Sequence, residues 1–381
     1  MLCLPLALLS CDAVGESGSE GALAATVPVW TQQQIGQLRQ AVMAAGAEAL
    51  PVLPVHDLDA AMAGADHAAI DAAADALALR LAGIILLGAA PVVERSAWRI
   101  TDSDSADDLP GALRDALAAD KLGGFFEGLH PQHPDYAALR SAYAAEFDPV
   151  RRRTIARNME RWRWMPRSLG RDYVLVNSAT FEARLWRAGQ PVGTWRVIVG
   201  KAETPSPVFQ AKITGITFNP WWDIPASIVK EKGGRFPARL GYVRTGSRWR
   251  QKPGPANALG QMKLVMPNPY NVYLHDTPSR SLFQNEVRAY SHGCIRVGDA
   301  VGFASTLLEG VRSRPEIDAI IAGGKTVSVT LPVQFPVYVT YFTAGLRGDG
   351  SLAIVPDIYG RDGALHVADA GQVGQGPACP A

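Results

Sequence analysis

The residues best suited to chemistry lie in one stretch, NVYLHDTPSRSLFQNEVRAYSHGCIRV. It places His275 after a hydrophobic run and then, behind a spacer, the sequence Ser-His-Gly-Cys-Ile-Arg. A thiol is only partly ionised at neutral pH, so a cysteine nucleophile needs a nearby imidazole to accept its proton and form a thiolate–imidazolium pair. Cys294 is therefore a candidate nucleophile, with His275 and His292 as candidate bases.

The neighbours of the cysteine also suit acyl transfer. Attack on an amide creates an oxyanion, and Gly293 leaves the backbone free to direct N–H groups at it. Arg296 can hold a carboxylate with two parallel hydrogen bonds. Taken singly, a lone cysteine is usually a small buried hydrophobe and a lone histidine usually packs or caps. Their joint occurrence favours catalysis.

The same side chains suit a metal site poorly. Cys294, His275 and His292 have the ligand types that zinc prefers, but neither a fourth well-spaced ligand nor a Cys-x-x-Cys pair accompanies them in the sequence. We expect no metal and no other cofactor. The other three cysteines lie near the ends of the chain, a poor distribution for a disulfide framework. They are Cys3, Cys11 and Cys379.

The pattern of histidine, spacer and Ser-His-Gly-Cys-Ile-Arg resembles the hallmark of the L,D-transpeptidase family, whose catalytic domain is of the YkuD type. Further likeness, to the large YcbB-type members, covers roughly residues 158–362 and more weakly the helical half. It is carried by the pieces NMERWRWMP, FNPWWDIPASI, RQKPGPANALGQMKLVMPNPY, YLHDTPSRSLF, PVYVTYFTAGLRGDG and DIYGRD.

The resemblance implies a reaction. Cys294 would attack the amide between the third residue of a tetrapeptide stem and its terminal D-Ala, releasing D-Ala and leaving an acyl-thioester. The side-chain amine of a neighbouring stem would then resolve the thioester as a 3-3 crosslink of peptidoglycan. His275 would be the base, oriented by a backbone carbonyl, so Asp276 is given no place in a triad. The oxyanion, acceptor and substrate-binding positions would belong to His292, Gly293, Ser291 and Arg296.

Other functions stay open at this point. Water as acceptor would make an L,D-carboxypeptidase, and another amide substrate would make a different cysteine amidohydrolase of the cell wall. A wall-binding protein with a decayed catalytic domain is disfavoured, because the motif residues are all present.

Composition limits the partners. The 37 basic and 36 acidic residues nearly cancel, so no global field draws the chain to nucleic acid or to an anionic membrane. Residues 150–171 carry eight arginines against one acid, which invites a nucleic-acid interpretation. Because this basicity is not repeated elsewhere, we favour a bridging helix with solvated or paired arginines, and no nucleic-acid partner.

The fold class expected is α+β, with a mainly helical domain followed by a mainly β catalytic domain, a sandwich or open barrel. The helical half is alanine-rich, with Ile70, Ala74, Leu77 and Leu81 at helical spacing. The later half contains short runs such as YVLVN, TWRVIVG and ITGITFN, which are typical of strands. We assign residues 29–168 to a helical scaffold domain and 169–365 to the catalytic domain. The resemblance to YcbB-type members implies that an insertion at about 221–261 caps the active site, and a merely solvated loop is the alternative.

Both ends of the chain are expected to lie outside the two domains. Residues 1–28 resemble a lipoprotein signal and linker without the usual basic start, so we expect export to the periplasm or cell envelope and membrane attachment through a lipidated Cys11. The apolar run Gly83 to Val93 is too short to cross a bilayer, and no transmembrane helix is expected. Residues 366–381 are expected to form a flexible tail.

Overall fold

A computed structural model describes residues 30–104, 107–347 and 349–367. The expected signal-like segment with Cys11, and most of the expected tail, lie outside these residues. Within them, helices dominate up to residue 163 and strands dominate afterwards, as the sequence predicts. The α-helices are α1 Gln32–Ala44, α2 His56–Gly64, α3 His67–Leu87, α4 Leu109–Ala118, α5 Leu122–Gly128, α6 Pro134–Ala145, α7 Pro149–Arg163, α8 Ala226–Glu231, α9 Ala300–Leu307 and α10 Arg314–Ala322.

The first five helices share one hydrophobic core. The helical spacing read from the sequence of α3 is confirmed, since Ile70, Ala74, Leu77 and Leu81 are all buried in that core. Burying such a stripe against neighbouring helices is what stabilises an amphipathic helix. Together with the turn that follows it, His67–Arg95, α3 is the one described segment long and apolar enough to span a membrane, with mean hydropathy 2.1. Alanine, leucine and isoleucine make up most of α3, and its buried residues contact the other helices.

Helices α6 and α7 belong to a second core that includes strands of the catalytic half. Helix α6 begins at Pro134, and its Tyr136 and Leu139 are buried. In α7 the face formed by Ile155, Met159 and Trp162 is buried as well. The arginine-rich segment is therefore a bridging helix between the two halves of the chain.

The catalytic half is built on a ten-stranded sheet that closes on itself, because β5 pairs both with β13 and with β9. Its interior is filled by a large apolar cluster of strand residues and α9. The sheet order is β1-β5-β13-β2-β3-β4-β12-β10-β9, with β11 beside β4. These strands are β1 Trp98–Arg99, β2 Tyr173–Asn177, β3 Glu182–Arg187, β4 Gln190–Gly200, β5 Val208–Phe218, β9 Met262–Val265, β10 Leu274–His275, β11 Ala289–Ser291, β12 Ile295–Val297 and β13 Val327–Thr340.

A smaller sheet and a short helix form the expected capping insertion. Its strands, in the order β6-β8-β7, are β6 Trp222–Asp223, β8 Arg248–Gln251 and β7 Tyr242–Thr245. Helix α8 follows β6. We call residues 221–261 the lid. A final two-stranded hairpin, β14 Ala344–Leu346 and β15 Leu352–Ile354, packs against α6 and α7.

Candidate active site

Three neighbouring strands present the candidate residues on one face of the sheet. Leu274 is paired with Ile295, and His275 with Arg296, in the parallel ladder of β10 and β12. Paired positions on adjacent strands point to the same face, and successive residues alternate. Leu274 and Ile295 are buried in the core, so His275 and Arg296 must point to the opposite face. The same register places Tyr273 beside Cys294.

The next strand extends this row. Lys263 on β9 is the antiparallel partner of His275, and its neighbours Met262 and Leu264 are buried in the core. Lys263 therefore shares the face of His275 and the thiol. Its ammonium lies 4.0 Å from the centre of the Tyr273 ring.

His275 is held in one tautomer by the backbone. Its Nδ1 lies 2.5 Å from the carbonyl oxygen of Asp276. A carbonyl can only accept, so Nδ1 carries the proton and Nε2 keeps a free lone pair. The Asp276 carboxylate instead pairs with Arg280 and accepts from the Gln261 amide. This arrangement is the one the family resemblance implies.

The thiol of Cys294 is partly exposed and meets groups from β10 and the loop before it. The sulfur lies 3.8 Å from the carbonyl oxygen of Asn271, to which it donates. The backbone and the hydroxyl of Tyr273 both act on the sulfur, and each favours the thiolate and lowers the pKa of the thiol. Asn268 shapes this loop, because its side chain donates to the carbonyls of Met266 and Val272.

Burial keeps both partners neutral in the unliganded site. It raises the pKa of the Cys294 thiol above its ordinary value, and Tyr273 and Lys263 offset only part of that rise. Burial, with the charges of Arg296 and Lys263, lowers the pKa of His275 to about 3. The thiolate–imidazolium pair expected from the sequence is therefore not favoured at rest. Proton transfer would accompany the reaction instead.

The loop that carries the thiol is fixed from inside. The Ser291 hydroxyl donates to the carbonyl of Cys294 at 2.5 Å and accepts from the amide of Gly293 at 3.0 Å. The Gly293 amide is thus already used, and Gly293 has φ of +108°, a conformation that favours glycine. No described residue accepts a hydrogen bond from the Cys294 amide, which leaves it free for an oxyanion.

A buried serine supports this loop from the connection between β4 and β5. Ser206 is fully buried, and its hydroxyl donates to the Gly293 carbonyl at 2.8 Å and accepts from the Gly200 amide at 3.0 Å. The hydroxyl of Tyr359 donates to the Gly200 carbonyl at 2.6 Å. Tyr359 therefore supports the Cys294 loop indirectly, through Gly200 and Ser206.

His292 contacts the lid rather than the thiol. Its Nε2 lies 2.7 Å from the Glu231 carboxylate at the end of α8. Both side chains are partly exposed, at 38% and 46%. This contact joins the lid to the loop of the nucleophile across 61 residues of sequence.

A pocket of about 590 Å³ opens between the lid and the sheet, and its lining includes Asn271, whose carbonyl accepts from the thiol, but neither Cys294 nor His275. Trp221, Asp223 and Arg250 line it from the lid, and Asp223 and Arg250 form an ion pair of 2.7 Å. Its other wall includes Lys263 and Tyr273. The described residues hold no group of three or more His, Cys, Asp and Glu that could bind a metal ion.

Several of these residues could not be identified from the sequence. Lys263, Tyr273 and Asn271 lie outside the Ser-His-Gly-Cys motif, and Ser206 and Glu231 lie on other elements. For Tyr273 a signal existed, because it stands two residues before His275 and must share its face in a strand. The others depend on non-local pairing.

Two family models match the chain. Residues 171–328 match the YkuD L,D-transpeptidase catalytic domain, and residues 23–142 match a scaffold domain. A Haemophilus influenzae protein whose name assigns it to the L,D-transpeptidases is 30% identical over 247 residues, which are 56% of this chain. The chain spans 49% of the length of that relative.

Solved structures of L,D-transpeptidases are also similar in part. One from Mycobacterium smegmatis is 13% identical with a TM-score of 0.27, covering 45% of this chain and 58% of its own. L,D-transpeptidase 3 from Mycobacterium tuberculosis is 14% identical with a TM-score of 0.26, covering 45% and 61%.

Proposed function

Since the chain belongs to the L,D-transpeptidase family, with a YkuD-type catalytic domain behind a scaffold domain, we propose that Cys294 and His275 form 3-3 crosslinks between peptidoglycan stem peptides. The observation that carries this proposal is the placement of Cys294 and His275 on one face of two paired strands, with the free Nε2 of the imidazole on that face. Acyl transfer through a thioester needs this pair.

In the proposed acylation, the Cys294 sulfur attacks the amide carbonyl before the terminal D-Ala, and its proton passes to His275 Nε2. The Cys294 amide and the Tyr273 hydroxyl are the donors available to the oxyanion. When the C–N bond breaks, His275 returns the proton to the leaving amine, and D-Ala departs. The product is an acyl-thioester on Cys294.

Crosslinking would follow by aminolysis. An amine from a second stem attacks the thioester and gives up a proton to His275, and the thiol leaves with a proton returned from the imidazole. Water in place of the amine gives the L,D-carboxypeptidase outcome. The lid, tied to the loop by Glu231 and His292, and the pocket beneath it favour an ordered acceptor over free water. Ser291 and Gly293 would shape the loop, and Arg296 would face the substrate.

The site of action follows from the substrate. Peptidoglycan is assembled outside the cytoplasmic membrane, so we place the protein in the periplasm or cell envelope. Attachment through a lipidated Cys11 is part of this proposal.

Purified protein incubated with muropeptides bearing tetrapeptide stems tests the proposal. Mass spectrometry should find released D-Ala and 3-3 crosslinked dimers. The variant Cys294→Ala should fold normally and give neither product. D-Ala release by that variant would refute the role of the thiol, and D-Ala release without dimers by the native protein would establish the carboxypeptidase.

A further inference from the structure

Two cations flank the base. Lys263 on β9 and Arg296 on β12 are the cross-strand partners of His275, one on each side. Neighbouring strands lie about 4.8 Å apart, so the two backbones are separated by roughly 10 Å. Long lysine and arginine side chains can close that gap around one small anion.

Neither cation has an ion-pair partner in the part of the chain that the structure describes, and the only acid that acts on either at longer range there is Asp223, whose charge raises the pKa of Lys263. Among residues 30–104, 107–347 and 349–367, no acid forms an ion pair or hydrogen bond with the Lys263 ammonium or the Arg296 guanidinium. The acids of the surrounding elements are paired elsewhere. Their ion pairs are Asp276 with Arg280, Asp223 with Arg250 and Glu231 with His292.

Both charges are held where water solvates them poorly. Burial lowers the pKa of Lys263 and that of Arg296. The nearby Cys294 partly offsets this, because its negative charge when ionised raises both pKa values. The side-chain nitrogens of Lys263 and Arg296 are not among the described polar atoms that are completely buried without a hydrogen-bond partner. Solvent, and hence a ligand, can therefore reach them. A partly buried cation gains most from an anion that supplies charge and hydrogen bonds together.

We propose that Lys263 and Arg296 form a clamp for a carboxylate, and that its ligand is the free C-terminal carboxylate of the donor stem. This inference rests on the proposed function. In a stem that ends one residue after the attacked amide, the carboxylate lies about 3.5 Å further along, the span of one residue. That distance suits Lys263 and Arg296, which are the cross-strand partners of His275 and lie close to the Cys294 thiol. The clamp would select donors whose chain ends there.

Paired substrates test the clamp. Tetrapeptide stems ending in D-alanine and in D-alaninamide differ only in the terminal charge. The native enzyme should prefer the acid by about tenfold or more in kcat/KM, the scale of a charge-assisted contact. Lys263→Met and Arg296→Met should bring that preference close to unity, and Lys263→Arg should retain much of it.

The comparison controls for folding, because each variant is measured against itself on two substrates. Lys212→Met removes an exposed lysine from β5 and should leave the preference unchanged. Equal rates for acid and amide in the native enzyme, or a preference that survives in Lys263→Met and Arg296→Met, would overturn the clamp.

A second measurement needs no turnover. Iodoacetate and iodoacetamide alkylate the same thiol and differ in carrying a carboxylate, so the ratio of their rates cancels any change in thiol ionisation. The native ratio should exceed that of free cysteine, and it should fall severalfold in Lys263→Met and Arg296→Met. If no stem is cleaved but the ratio still depends on these cations, the proposed function fails and the clamp stands. An unchanged ratio would count against the clamp.

Discussion

The reactivity of a cysteine depends on how its thiolate is stabilised, and Cys294 sits among opposing influences. Burial disfavours the thiolate, while Lys263, Arg296 and the Tyr273 hydroxyl favour it. The imidazole of His275 is held neutral by burial and by the same two cations. The resting site is therefore an unreactive thiol beside a base that stays unprotonated well below neutral pH. Such a thiol is protected from adventitious oxidation until a substrate is bound.

This balance predicts an unusual pH profile for the unliganded enzyme. The pKa of Cys294 is raised above its ordinary value, so the thiolate fraction grows as pH rises and is small at neutrality. The rate of alkylation by iodoacetamide should thus keep rising with pH to beyond about 9, the ordinary range of a thiol. Measuring the rate from pH 5 to 10 checks this. A plateau between pH 5 and 8 would instead reveal a resting thiolate–imidazolium pair.

At the scale of elements, the nucleophile loop depends on a hydroxyl from outside the motif. Ser206→Ala would leave the Gly293 carbonyl and the Gly200 amide without their partner, in a fully buried position. We expect a loss of about 1–3 kcal/mol in the free energy of unfolding and a fall in kcat. Urea denaturation and D-Ala release measure the two effects.

A matched control exists for this variant. Ser178 is equally buried, but its hydroxyl has no hydrogen-bond partner. Ser178→Ala should therefore have little effect on stability or activity. Similar losses in both variants would show that Ser206 matters only as packing.

The lid gives a second prediction at this scale. Glu231→Gln keeps the shape of the side chain but removes its charge opposite His292. We expect KM for stem peptides to rise severalfold, because the lid closes less readily, while the rate of iodoacetamide alkylation stays the same. Glu203→Gln, a change in an exposed acid of a turn, serves as the control. An unchanged KM in Glu231→Gln would mean that the contact does not hold the lid.

The elements themselves were predictable to the extent that their signals are local. Helical periodicity identified α3, and runs of strand-forming residues identified β2, β4 and β5, because each of these signals lies within a single segment. Strand β13 continues through two strand-like runs, TVSVTL and PVYVTYF, with a register shift between Thr330 and Phe335. Pro332 and Pro336 lie in this strand, and its irregular pairing accommodates them.

The site was predictable only in part for the same reason. Cys294, His275, His292, Ser291, Gly293 and Arg296 are recognisable because they form one continuous motif. Lys263 joins His275 through the pairing of β9 with β10, and β5 closes the barrel against β9. Strand pairing of this kind depends on the whole topology, so no local sequence pattern near Lys263 predicts it.

At the scale of the whole molecule, α7 couples the helical half to the catalytic half. On one side, the buried Glu160 accepts from the amide of Ala90 at 2.7 Å, in the loop after α3. On the other side, Arg161 pairs with Asp362 at 2.7 Å, close in sequence to the Tyr359 that supports the nucleophile loop. A chain of polar contacts thus runs from the scaffold to the active site, so damage to α7 should affect both halves.

Arg163 tests the side of α7 that faces the helical half. Its side chain is completely buried, and it donates to the Glu48 carbonyl at 2.6 Å and to the Tyr136 hydroxyl at 2.9 Å while lying beside Glu160. Arg163→Met would break these bonds and remove a buried cation beside Glu160, and breaking a buried ion pair typically costs about 3–5 kcal/mol in the free energy of unfolding.

The expected result is earlier unfolding of both halves, seen as a lower urea midpoint and faster hydrogen exchange in α1 to α7. Arg151→Met provides the control, since Arg151 is an exposed arginine of the same helix paired with Glu146. Surface pairs of this kind contribute little, so the control should unfold like the native protein. If Arg163→Met were as stable as this control, the buried arginine would not anchor α7 in the helical half.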